Sequence, residues 1–212
     1  MDGDLREHLR AHLSRMALLG VRQIPRGART SPKDLLLQME QEVIRCRRCP
    51  IGHTRAHAVF GSGDPNADLV FVGEAPGAEE DRQGLPFVGK AGALLTRIIE
   101  AIGLDREQVY IANILKCRPP NNRDPNPEEI LNCSPYLWRQ MELIRPRVIC
   151  ALGAFAARTL LGVDTGISRL RGEFHTVRGF QVMPTYHPAY LLRNPSAKRA
   201  VWDDMKKVRE LL

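Results

Sequence analysis

The stretch DLVFVGEAPG, residues Asp68 to Gly77, decides the architecture. A short apolar run stops abruptly at Gly73-Glu74-Ala75-Pro76-Gly77, a sequence that regular structure does not continue through. The same alternation recurs downstream. Ala91 to Ile102 reads as a helix closed by Gly103, and Val109 to Ile114 (VYIANI) as the next strand. Asn126–Pro127 opens a helix to about Leu143. Arg147 to Leu152 (RVICAL) is a buried strand, followed by a helix ending at Gly162. Glu173 to Thr185 reads as two short strands turning at Gly179, and Asn194–Pro195 starts a last helix. Alternating strands and helices predict an α/β fold: three αβα layers around a mostly parallel central sheet. In such sheets ligands bind beyond the C-terminal ends of the strands. GEAPG, Asn113 and His187–Pro188 all fall at such ends, so a single site is expected there.

Upstream, Leu5, Leu9, Leu13 and Met16 share one face of an amphipathic helix, about Leu5 to Leu19, stopped by Gly20. Val21 to Thr30 reads as a linker with Pro25, Gly27, Arg22, Arg26 and Arg29. Ser31–Pro32 starts a second helix running into Cys46. The expected division is therefore an N-terminal extension, residues 1–31, and a main domain, residues 32–212.

The 212 residues carry 31 Lys and Arg against 24 Asp and Glu, a net charge of +7 that favours a polyanionic partner. No apolar run reaches the roughly 20 residues that span a bilayer, and Asp2, Asp4 and Glu7 stand where a secretory signal would be apolar. A cytoplasmic protein with no membrane partner is expected. Five cysteines in that setting argue against a disulfide framework.

Three constellations carry chemistry. In the first, glycines allow close backbone approach to a ligand, and Glu74 stands at the strand end beside Gly and Pro. The acids Glu79, Glu80 and Asp81 read as a solvated loop, and Phe87 suits either a core position or a platform for a flat ring. The second is Cys46-Arg47-Arg48-Cys49 with Cys117 and Cys133: four thiolates suffice for a [4Fe–4S] cluster or a zinc ion, and the residues alone leave both open, although the wide, uneven spacing fits neither a zinc finger nor a zinc ribbon. Cys150, inside RVICAL, is a core thiol. The third is YHPAYLLR, residues Tyr186 to Arg193. His187 sits past a strand, and Leu191, Leu192 and Arg193 suit either a wedge entering a duplex or a short helix packed on the core.

Taken together, GEAPGAEEDRQGLPFVGKAGALL, VYIANILKCRPPNNRDPNPEE, HPAYLLRN and the four cysteines resemble the family-four uracil-DNA glycosylases over about Leu37 to Leu212. The resemblance implies excision of uracil from DNA in base excision repair. Glu74 would activate water or offset the sugar cation, and His187 would meet O2 of the leaving base. Phe87 would stack on the flipped uracil, Asn113 would read its amide edge, and Glu80 would crowd out a C5 methyl. Gly73, Ala75 and Gly77 would line the site, backbone amides near Gly77 would serve the uracil anion, and Leu191, Leu192 and Arg193 would contact DNA. Cys46, Cys49, Cys117 and Cys133 would ligate a [4Fe–4S] cluster. The partner would be single- or double-stranded uracil-containing DNA, bound by a monomer, with a repair or replication protein as a candidate partner for the extension. A non-catalytic or covalently trapping binder is the competing class. Trapping relatives use a histidine in an inserted basic loop, and Arg118 to Arg123 holds no histidine.

Overall fold

The computed structural model describes residues 31–212; the helix and linker expected before Ser31 lie outside the described residues. Six strands form one sheet: β1 (Ser62–Gly63), β2 (Leu69–Gly73), β3 (Tyr110–Asn113), β4 (Val148–Leu152), β5 (His175–Val177) and β6 (Phe180–Thr185). Their order is β1-β3-β2-β4-β6-β5. The four inner strands β3, β2, β4 and β6 run parallel, and the short edges β1 and β5 are antiparallel. The sheet is thus mostly parallel, as the sequence implies.

The apolar run at β2 follows from burial on both faces. Val70 and Val72 pack on one side with Leu36, Met39 and Val43 of α1 (Pro32–Arg45), and with Leu137 and Met141 further along the chain. Leu69 and Phe71 point the other way, toward Leu94, Leu95 and Ile99. The period-two alternation of a strand therefore feeds two cores. On the first face, α5 (Pro127–Ile144) and α6 (Gly153–Leu161) join α1; on the second, α4 (Lys90–Ala101) packs with α9 (Lys198–Leu211). Cys150 is fully buried in the second core, and burial raises its thiol well above the ordinary range.

Short helices fill the connections: α2 (Ile51–Thr54), α3 (Ala78–Gln83), α7 (Ile167–Leu170) and α8 (Pro188–Arg193). The acidic run expected to be a loop is α3. Its third residue, Glu80, reaches back to the Gly77 amide, and acids favour the first turn by the helix dipole. Gly84, at φ +73°, closes it in the left-handed conformation. The last helix starts at Lys198 rather than Asn194, because a 3₁₀ turn over Pro195–Ala197 intervenes.

Gly92 fixes how α4 meets the loop before it. A Cβ there would lie 1.9 Å from the Phe87 carbonyl oxygen. Gly92→Ala must displace the Phe87 backbone and is expected to cost about 1–3 kcal/mol, the usual scale of overpacking. A denaturant midpoint equal to wild type would show that the helix and loop are not in this contact.

Candidate active site

Beyond the C-terminal ends of β2, β3, β4 and β6 lies a cleft of about 630 Å³. Glu74, Ala75, Gly77, Glu80, Phe87, Asn113 and His187 all line it, although they come from three separated stretches of the chain. Gly73 is not among the lining residues but lies directly against two of them. A Cβ on Gly73 would lie 2.4 Å from Asn113 Oδ1 and 2.7 Å from Phe87 Cζ. The missing side chain is what lets the Asn113 amide and the Phe87 ring approach the same strand end.

Asn113 is 2% exposed, and its Oδ1 is the one buried side-chain oxygen or nitrogen without a hydrogen-bond partner among the described residues. Leaving a buried acceptor unmet costs roughly 1–3 kcal/mol. Such an atom is suited to a ligand N–H. Phe87 adopts φ +52°, a strained conformation for a bulky residue that occurs characteristically at functional sites. Its ring is 5.6 Å from that of His187 and tilted by 32°.

The strained loop is held by Glu80. One carboxylate oxygen accepts the amides of Val88 and Gly89 at 2.9 and 3.0 Å; the other accepts that of Gly77 at 3.1 Å. Arg106 adds a bond from Nη2 to the Pro86 carbonyl at 2.6 Å. Of the backbone amides near Gly77 expected to serve a leaving anion, that of Gly77 itself is engaged by Glu80.

His187 caps α8 by accepting the Ala189 amide at Nδ1, 3.1 Å away. That bond requires Nδ1 unprotonated, so in the neutral ring Nε2 carries the hydrogen and can donate. Desolvation and, second, Arg193 push the imidazole down to about 4. Glu74 behaves oppositely: burial and then the nearby Asp124 carboxylate raise it above the ordinary range, while Arg158 draws it down. Asp124 and Arg158 line the same cleft. Neither stood out in the sequence, because nothing local to either position announces that both reach Glu74.

The segment after His187 is partly corrected. Leu191 is 1% exposed and belongs to the second core, so it cannot enter a duplex. Leu192 is 43% exposed, and Arg193 is exposed at the cleft. Helical geometry turns the two leucines in different directions.

The four cysteines line a second, small pocket with Arg48, Arg55 and Tyr136. Cys117 and Cys133 are buried, and Cys46 and Cys49 partly so. Arg55 Nη1 donates to Cys117 Sγ at 2.8 Å, and the Lys116 amide donates to Cys133 Sγ at 3.2 Å. Burial raises the thiols of Cys49 and Cys117 and pushes that of Cys133 up to about 12; Arg55 opposes the shift at Cys117, and Lys116 that at Cys133. Among the described residues no three His, Cys, Asp or Glu side chains converge as they would around a single metal ion.

Lys116 links this pocket to the cleft, a role with no sequence signal beyond adjacency to Cys117. It is fully buried, and its Nζ donates to the Asn113 carbonyl at 2.9 Å and to Gln140 Oε1 at 2.7 Å. Gln140 in turn donates to the Phe60 carbonyl and the Tyr110 hydroxyl. Desolvation lowers the ammonium to about 8.

Sheet, cleft and donor set define an α/β protein whose site suits a flat heterocycle with an amide edge. The chain belongs to the uracil-DNA glycosylase superfamily: that family's sequence profile, described as Uracil DNA glycosylase superfamily, matches residues 60–206. It is similar to a type-4 uracil-DNA glycosylase of Archaeoglobus fulgidus, 48% identical over 81% of this chain and 90% of the relative. It is also similar to type-4 enzymes of Sulfurisphaera tokodaii, at 46% over 84% and 85%, and of Thermotoga maritima, at 44% over 85% and 96%.

The depressed His187 value has a consequence for stability. The folded state resists protonation that the unfolded chain accepts below about 6.5. Stability tied to the neutral ring is complete above that pH and is lost as pH falls toward 4. The loss is on the order of 3 kcal/mol, and His187→Gln should remove it. Parallel pH–stability profiles for wild type and variant between pH 7 and 4 would contradict a desolvated neutral His187.

Proposed function

We propose that the protein is a type-4 uracil-DNA glycosylase that extrudes uracil from DNA and hydrolyses its N-glycosidic bond, leaving an abasic site for base excision repair. The observation that carries the reading is the unpartnered, buried Asn113 Oδ1 facing a cleft that Phe87 and His187 also line. In this reading Oδ1 accepts uracil N3–H and the side-chain NH₂ donates to O4. Cytosine presents the opposite pattern and leaves both groups unmet. Phe87 stacks on the ring. Glu80, immobilised by three amides, is the rigid wall against a C5 methyl.

Base extrusion costs a few kcal/mol of pairing and stacking. Leu192 supports the wedge role, and Arg193 a phosphate contact. As the C1′–N1 bond breaks, charge grows on O2 of the base, and His187 Nε2–H is the preorganised donor for it. A neutral donor suits this task, because it need not be protonated at working pH. Glu74 orients the attacking water and offsets the oxocarbenium-like sugar.

Cys46, Cys49, Cys117 and Cys133 are proposed to hold a [4Fe–4S] cluster. The donor set fits: four thiols line one pocket, those of Cys49, Cys117 and Cys133 raised by burial need a cationic centre to exist as thiolates, and Arg55 and Lys116 supply part of the compensation at Cys117 and Cys133. The cluster would tie the loop after α1, the loop after β3 and α5 into one unit. We further read the protein as a cytosolic monomer; no described helix is long and apolar enough to cross a membrane.

Glu74→Gln should retain binding of uracil-containing oligonucleotides while base release falls by at least about 100-fold, as for loss of a general base. Release within a few-fold of wild type would remove Glu74 from its assigned role. Anaerobically purified protein should be brown and absorb at about 400 nm. Colourless protein with stoichiometric zinc would overturn the cluster.

A further inference from the structure

The rim of the cleft carries an aromatic arrangement that none of these roles uses. Tyr190, 39% exposed, lines the cleft one helical turn after His187, and its amide donates to the His187 carbonyl at 2.9 Å. Its ring stacks on Tyr186, with centroids 5.0 Å apart and planes 30° from parallel. The Arg171 guanidinium lies 5.5 Å from the centroid of the Tyr186 ring. That guanidinium is itself fixed. It pairs with the buried Asp204 through Nη2 and through Nε at 3.0 Å, and donates to the Ala200 carbonyl. Asp204 also accepts the hydroxyl of Thr185, the last residue of β6, at 2.6 Å. A chain of contacts thus runs from the buried Asp204 through Arg171 and Tyr186 to an exposed tyrosine ring.

A solvent-exposed tyrosine needs no such foundation. A ring that receives a ligand does, because preorganisation removes the entropy of ordering it on binding. The Phe87 platform and His187 define where the extruded base sits, so the neighbouring nucleotide of the same strand must pass the rim. Arg193 is exposed there for its phosphate. Base–aromatic stacking is tolerant of sequence and is the common device for holding unpaired strands.

We propose that Tyr190, backed by Tyr186 and Arg171, is the stacking subsite for the unpaired base adjacent to uracil in single-stranded DNA. This rests on the reading of the cleft as the uracil site. The subsite replaces the stacking that the neighbour loses when uracil leaves it, and it does so for any base.

The test uses the full chain and single-stranded oligonucleotides containing 2′-deoxypseudouridine, whose carbon–carbon glycosidic bond resists hydrolysis. The fluorescent base 2-aminopurine is placed on its 5′ or its 3′ side. On one of the two sides, wild type is expected to quench the fluorophore. Tyr190→Ala should lose that quenching and bind roughly 5-fold or more weakly, while Tyr190→Phe keeps both. With an abasic residue at that neighbouring position, wild type and Tyr190→Ala should bind equally. A purely structural role for the ring would instead weaken binding by the same factor with or without the neighbouring base. That result, or wild-type quenching and affinity in Tyr190→Ala, overturns the proposal. Uracil release is assayed separately on matching uracil oligonucleotides. Absent release with an intact neighbour effect would sink the excision reading and leave the stacking subsite standing.

Discussion

The Glu80 carboxylate is the interaction on which the site depends. Three backbone amides, from Gly77, Val88 and Gly89, converge on its two oxygens. Charge-assisted bonds of this kind are stronger than those between neutral groups. They draw both ends of the excursion between β2 and α4 onto one side chain and hold Phe87 at a positive φ that it would not adopt alone. The phenyl ring then stands against Gly73, where a side chain would collide with it and with Asn113. An acidic residue that would be solvated in most loops here works as an internal staple.

A second consequence concerns what holds Asn113. The strand end is fixed from behind by the buried Lys116, whose ammonium meets the Asn113 carbonyl and Gln140. Lys116 lies directly beside Cys117, and its amide reaches Cys133. Asn113 and Cys117 therefore share a short piece of chain, and the Lys116 amide ties it to Cys133 in α5. In the proposed reading, a cluster at the four cysteines would brace the end of β3 through Lys116, which fits a structural role.

Electrostatics divide the cleft into two kinds of group. Glu74 is pushed up by burial and by Asp124, whereas His187 is pushed down by burial and Arg193. Both shifts have desolvation as their main cause, and both favour the less charged form. Opposite environments for acid and base would be needed to separate proton donor from acceptor. In the proposed mechanism the two residues instead divide the work by geometry: a carboxylate for water and the sugar, an N–H for the departing base.

Much of this was legible in the sequence. Short apolar runs broken by GEAPG, Asn113 and His187 set a parallel sheet with a site at the strand ends, because period, turn chemistry and strand burial are local properties. Motif resemblance singled out Glu74, Phe87, Asn113 and His187, which line one cleft, and four cysteines, which line one pocket. The limits were equally physical. Adjacent leucines look alike in a sequence, yet helix phase buries Leu191 and exposes Leu192. Glu79, Glu80 and Asp81 are one acidic run, but only Glu80 meets amides from eight and nine residues on. Lys116, Asp124, Arg158 and the Arg171–Tyr186–Tyr190 stack depend on partners far along the chain. The sequence by itself determined which elements form and which chemical groups are present. Which of them touch was decided by the tertiary structure alone, since contact and desolvation arise only when distant segments pack together.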